Sequence, residues 1–224
     1  MPGTICLQGG KEFGSSCREL DLAVLTETPM GPIVVLAGAA APGGQYEKAS
    51  RSAARYYGNL SGDPAVPAPD PRTDLAGCLA ALAQAELIVL PGGSPTELLR
   101  VLVALADGAV GEALRARHTA GATISGASAG AMVMCEQMWA ADADRSIVAG
   151  LGLVPGLALP HHQPGSEGRA GTPTELPVWG LPECGGVIIT ASGVTAAGAG
   201  RPVMAQHGQV IEVPRDTPMP LPRM

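Results

Sequence analysis

The chain has 224 residues, 46% of them hydrophobic and only 15% charged, with a formal net charge of −6. That length suits a single domain with a substantial core, while 3% aromatic residues and a net negative charge exclude the stacking platforms and basic face of a nucleic-acid binder. No apolar run approaches the roughly 18 residues that a membrane helix needs, and Met1–Gly10 lacks a basic region followed by a hydrophobic stretch, so a cytoplasmic protein with no membrane partner is expected.

Short apolar or β-branched runs at Thr4–Leu7, Ile33–Ala37, Leu87–Leu90, Thr123–Ser125 and Val187–Thr190 read as strands. Between them, helices are expected over Gln45–Tyr57, Thr73–Ala83, Pro95–Leu105, Val110–His118 and Ala129–Trp139. Such alternation implies a parallel sheet covered by helices. Gly62–Pro71 is too proline-rich for a central strand and reads as a surface connection with room for one edge strand. Gly193–Gly200 and Gln209–Val213 suggest a closing hairpin or meander, and residues 213–224 a tail that is disordered or lies along the surface of a single domain spanning 1–224. The five cysteines are an odd number without CxxC spacing, which argues against a disulfide framework and a structural zinc site and predicts free, buried thiols.

The sharpest chemical feature is Gly126-Ala127-Ser128-Ala129-Gly130, a GxSxG between a strand-like and a helix-like segment. A serine on so sharp a turn crowds the residues two before and two after it, and both are glycine. The turn also sets Ser128 at a helix N-terminus, where free N–H groups favour developing negative charge and Ala129 supplies the first oxyanion donor. The loop Pro91-Gly92-Gly93-Ser94 ends another strand and precedes a helix with N-cap candidates Ser94 and Thr96, so it faces the same crevice and places Gly93 as a second donor.

A serine nucleophile needs a base, and His118, His161, His162 and His207 are the only histidines. His118 closes a helix and reads as an ordinary solvated histidine, and His207 lies in a late turn. The pair His161-His162 leaves the apolar run Gly150–Leu159, which reads as ending in a strand, and by elimination one of the two is the base. A metal reading of the pair is disfavoured, because no third ligand stands at a helical spacing beside it. For the acid behind the base, Glu136, Asp142, Asp144, Glu167, Glu175 and Glu183 all follow the elbow, and spacing alone selects none.

With LQGGKEF at Leu7–Phe13, PGGSPTELL at Pro91–Leu99, GASAGAMVM at Gly126–Met134 and GLGLVPGLALPHH at Gly150–His162, the chain resembles peptidase family S51, which includes cyanophycinase and aspartyl dipeptidase and is related in fold to class I glutamine amidotransferases. The resemblance implies a three-layer αβα sandwich with a flavodoxin-like, mostly parallel sheet. It also implies a serine-type peptidase acting without cofactor or metal, with Ser128 as nucleophile and Gly93 and Ala129 as oxyanion donors. The base falls on His162 and the orienting acid on Glu183, with Asp142 or Asp144 as fallback; Gly92, Ser94, His161 and Gln163 are the substrate-contact candidates. Pro160 and Gln163 depart from the family's acidic or amide residue and phenylalanine around the histidine, and Pro95 stands where cyanophycin-degrading members carry a polar residue. The partner expected is a small peptide or amide substrate, and the reading is compatible with a homodimer. Two rivals share the scaffold: a catalytically silent binding protein, and a small-molecule amidase or esterase.

Overall fold

The computed structural model describes residues 1–140, 146–164 and 175–222. Its central sheet has seven strands in the order β11-β10-β1-β5-β4-β2-β3. These are β1 (Ile5–Gln8), β2 (Ile33–Val35), β3 (Ala65–Pro67), β4 (Leu87–Leu90), β5 (Thr123–Ala127), β10 (Gly185–Thr190) and β11 (Gly193–Gly198). All pairings from β1 through β5, β4 and β2 to β3 are parallel, whereas β10 runs antiparallel to β1 and to β11.

The two-residue period of a strand explains the layers. Ile33, Val35, Leu87, Val89 and Cys6 point to one face, where they meet Leu20 and Val24 of α1 (Arg18–Thr26) and Ala53, Ala54 and Tyr57 of α2 (Gly44–Ser61). Their neighbours Val34, Ile88, Leu90, Ile5 and Leu7 point to the other face. There they meet α3 (Leu75–Ala83), α4 (Pro95–Leu99), α5 (Ala109–Thr119) and α6 (Ala129–Met134). The result is the expected αβα sandwich.

Several elements differ from the sequence reading. The helix expected over Ala129–Trp139 stops at Met134, because Cys135 turns extended and β6 (Gln137–Trp139) pairs with β7 (Ile147–Ala149) as a two-stranded ribbon. Pro95–Leu105 is α4 followed by a π-helical turn over Arg100–Ala104. Helix α1, with Leu20 and Val24 buried, had no counterpart in the reading. The late segments divide between two sheets: β11 closes the main sheet against β10, while β12 (Val203–Gln206) and β13 (Gln209–Glu212) join β8 (Leu157–Leu159) and β9 (Val178–Gly180) in a second sheet ordered β13-β12-β9-β8. Beyond β13 the tail follows β11, as Pro214 accepts from the N–H of Ala196 and Met219 exchanges two backbone bonds with Val194. Proline-bearing β3 occupies the sheet edge, where a missing N–H costs no ladder bond. Among the described residues no helix is long and apolar enough to cross a membrane.

Candidate active site

In an open α/β sheet the chain leaves each parallel strand at the same edge, and loops gathered there form the ligand crevice. Here those loops follow β1, β4 and β5 and are joined by the segments after β8 and β9.

Ser128 stands between β5 and α6 with φ 49° and ψ −105°, a conformation that costs a non-glycine residue energy and turns its side chain out of the strand-helix corner. Both flanking glycines are required by contact. A Cβ on Gly126 would lie 2.6 Å from the carbonyl carbon of Gly130, and one on Gly130 would lie 2.4 Å from the carbonyl oxygen of Leu90 on β4. Thus the GxSxG spacing reflects close packing of α6 on β4 and β5.

The imidazole beside the serine is that of His161. Ser128 Oγ lies 3.2 Å from His161 Nε2, and His161 Nδ1 lies 3.1 Å from Glu183 Oε1. With the ring proton on Nδ1, that nitrogen donates to the carboxylate and Nε2 accepts from the hydroxyl. The expectation that His162 would reach the serine is corrected by the geometry. The resemblance set the base one residue later, but His161 adopts φ 52°, which swings its ring into the crevice. Backbone bonds hold the turn: His161 N–H donates to Gly9 and His162 N–H to Leu181, each at 2.9 Å. His162 is instead 8% exposed, and its ring lies so close to Gly180 that a Cβ there would come within 2.9 Å of its Cγ.

Glu183 faces His161 rather than the His162 it was expected to orient, and its second oxygen is 2.6 Å from Lys11 Nζ. The hydrogen bond from Lys11, then that from His161, hold its carboxyl below the usual range. The fallback acids Asp142 and Asp144 lie outside the described residues. His118 also departs from expectation: it is half-buried rather than solvated, and desolvation lowers its pKa.

On the opposite side of Ser128 runs the loop Pro91–Ser94. Gly93 has φ 145° and packs so tightly that a Cβ would lie 2.6 Å from the carbonyl oxygen of Ala39. Ala129 N–H is the first of α6, beyond the reach of any intrahelical acceptor. Ser94 caps α4 by accepting from Glu97 N–H. Gly92 N–H is taken by Glu12 Oε1 at 2.7 Å. The loop opens on a cavity of about 770 Å³ lined by Glu12, Phe13, Ala39–Ala41, Gln45, Lys48 and the Pro91–Ser94 loop. Gln163 is exposed beyond the histidine pair.

Lys11 and Glu12 were missed as individual residues, although both sit in the LQGGKEF string. Two charged side chains directly after the carboxyl end of a central strand were the available signal.

All five cysteines are free and buried, and burial pushes the Cys6 and Cys17 thiols up to about 12, so neither is an ionised nucleophile. Among the described residues no group of three or more His, Cys, Asp or Glu side chains could hold a metal.

Fold and site together define an αβα protein with Ser128 on a strand-to-helix turn at the carboxyl edge of its sheet. The model of Peptidase family S51 matches residues 68–177, a stretch that holds the glycine loop, the elbow and the histidine pair. The likeness to that family is thereby shown. A peptidase from an acI-B1 Actinobacterium superposes with a TM-score of 0.78 at 17% identity, covering 96% of each chain. A putative peptidase E protein from Listeria monocytogenes EGD-e gives a TM-score of 0.63 at 14% identity, covering 89% of this chain and 100% of that one. At such identities the likeness is one of fold, which it supports along the whole sheet. No curated protein matches this chain. The family match is thus to a peptidase family, and the two solved structures add the likeness of fold.

Proposed function

We propose that this chain is a serine-type hydrolase of peptide, isopeptide or related amide bonds, working through Ser128, His161 and Glu183. The observation that carries the reading is the continuous chain from Ser128 Oγ through His161 to Glu183, at 3.2 and 3.1 Å, on a strained strand-to-helix turn.

In the proposed reaction His161 Nε2 takes the hydroxyl proton as Ser128 Oγ bonds to the carbonyl carbon. Glu183 keeps Nδ1 protonated and stabilises the imidazolium. The N–H groups of Gly93 and Ala129 receive the oxyanion. When the C–N bond breaks, the imidazolium gives its proton to the leaving amine. Water, deprotonated by His161, then attacks the acyl carbon, and as the bond to Ser128 Oγ breaks the imidazolium returns its proton to Oγ and the acid leaves. Every step uses groups of this chain and water. A cavity of about 770 Å³ adjoins the Gly93 side of the site, and a short peptide or isopeptide is the substrate class we propose for it.

The test is fluorophosphonate labelling, read as a covalent adduct by intact mass. Wild type is expected to take one adduct and Ser128→Ala none. Undiminished labelling of Ser128→Ala, or an unlabelled wild type, would overturn the reading and favour a silent binding protein on the same scaffold.

A further inference from the structure

Gly93 is useful as an oxyanion donor only if its peptide plane is held still, because preorganised donors avoid reorganisation during reaction. One pin lies on its C-terminal side: Ser94 N–H donates to the carbonyl of Ala39 at 2.9 Å, and Gly93 itself packs on that carbonyl. The plane on its N-terminal side, between Pro91 and Gly92, is fixed by Glu12, whose Oε1 accepts Gly92 N–H at 2.7 Å. A Cβ at Gly92 would come within 2.8 Å of that oxygen and 3.2 Å of Ser128 Cβ, so the carboxylate and the nucleophile both lie against Gly92.

The segment that presents Glu12 is itself built to stay in place. Lys11 and Phe13, on either side, are both non-glycine residues in the left-handed region, at φ 57° and 66°. Such strain persists only where surroundings impose it. Cys17 Sγ donates to the Lys11 carbonyl at 3.0 Å, Cys184 N–H donates to the Gly10 carbonyl at 2.9 Å, and the Phe13 ring packs against Tyr56 with centroids 5.6 Å apart. The segment carrying Glu12 lies outside the 68–177 stretch that the family model matches.

We infer that Glu12 is a positioning residue for the oxyanion loop: by occupying Gly92 N–H it orients the neighbouring Gly93 N–H toward the acyl oxygen. The inference rests on the serine-hydrolase reading. Its physical content is the acceptor, not the charge, because an ionised carboxylate this close to an oxyanion repels it. A neutral acceptor of the same shape therefore serves, and an absent one does not.

The experiment compares wild type, Glu12→Ala and Glu12→Gln in two measurements, each on samples with unchanged melting temperature. The first is the second-order rate of fluorophosphonate labelling at Ser128. Losing one oxyanion donor outright costs about 10²–10³ in rate, so a donor left in place but loosened is expected to cost about 10- to 100-fold in Glu12→Ala. Glu12→Gln is expected to stay within about fivefold of wild type. The second is amide exchange of Gly92 by NMR, with protection expected to be lost in Glu12→Ala and kept in Glu12→Gln. Wild-type labelling by Glu12→Ala, equal losses in both variants, or unchanged Gly92 protection in Glu12→Ala would each overturn the inference. A wild type that takes no label, with Gly92 protected through Glu12, would instead refute the hydrolase reading.

Discussion

Truncating the two adjacent histidines separately tests the geometry most directly. His161 provides the one hydrogen bond that Ser128 Oγ makes among the described residues. His161→Ala removes that acceptor and leaves Glu183 paired with Lys11 alone. A positioned general base contributes about 10²–10⁴ in rate, so a fall of about 10³ in turnover is expected, equivalent to about 4 kcal/mol of activation free energy at 1.36 kcal/mol per tenfold. Stability should change by no more than about 1 kcal/mol: the His161 side chain is 51% exposed and its backbone bond to Gly9 survives, leaving mainly the poorer fit of alanine to a left-handed backbone. His162→Ala should do the reverse. That ring is buried against Gly180, and its loss should cost about 1–3 kcal/mol through lost packing, lowering the melting temperature by several degrees. Turnover should remain within a few-fold. The assay is amide hydrolysis by each folded variant, alongside thermal unfolding. Turnover by His161→Ala above about a tenth of wild type, or a 10³-fold loss in His162→Ala without unfolding, would refute the assignment.

Two further outcomes are expected. Lys11 is the largest cause that keeps the Glu183 carboxyl low, so in Lys11→Met the acid should titrate nearer its ordinary value of 4.5, followed at the carboxyl itself by NMR; because Glu183 stays ionised at neutral pH in either protein, activity near pH 8 should remain within about threefold of wild type. A Glu183 titration that is the same in the two proteins would contradict this. Gly130→Ala drives a Cβ to 2.4 Å from the Leu90 carbonyl oxygen, so it should destabilise by about 1–3 kcal/mol through overpacking; an unchanged melting temperature would show that α6 can shift away from β4 without loss.

How far the site was legible in the sequence can be argued from its members. GxSxG located Ser128 because the chemistry of the turn is local: the glycines clash with residues four positions apart or with the adjacent strand, and strand and helix signals flank them. Ala129 and Gly93 followed from strand-to-loop punctuation for the same reason. The choice between His161 and His162 was not local. It turned on a single positive φ after Pro160, imposed by backbone bonds to Gly9 and Leu181 from distant parts of the chain. Resemblance supplied a register, but it could not supply that twist.

Periodicity and β-branched runs by themselves determined the central strands, because each of Ile33–Val35 and Leu87–Leu90 is buried on both faces and so reads as an unbroken apolar run. They also determined most crossover helices, whose apolar faces are written at helical spacing. Only the tertiary structure decided where α6 ends, since Gln137–Trp139 becomes a strand by pairing with Ile147–Ala149. It alone divided the late strands between two sheets, and it alone brought Lys11 and Glu12 to residues 183 and 92. The reason is common to these cases: a backbone pairing or a charge contact is a property of two segments, and the residues of one segment do not specify which partner the folded chain will set opposite.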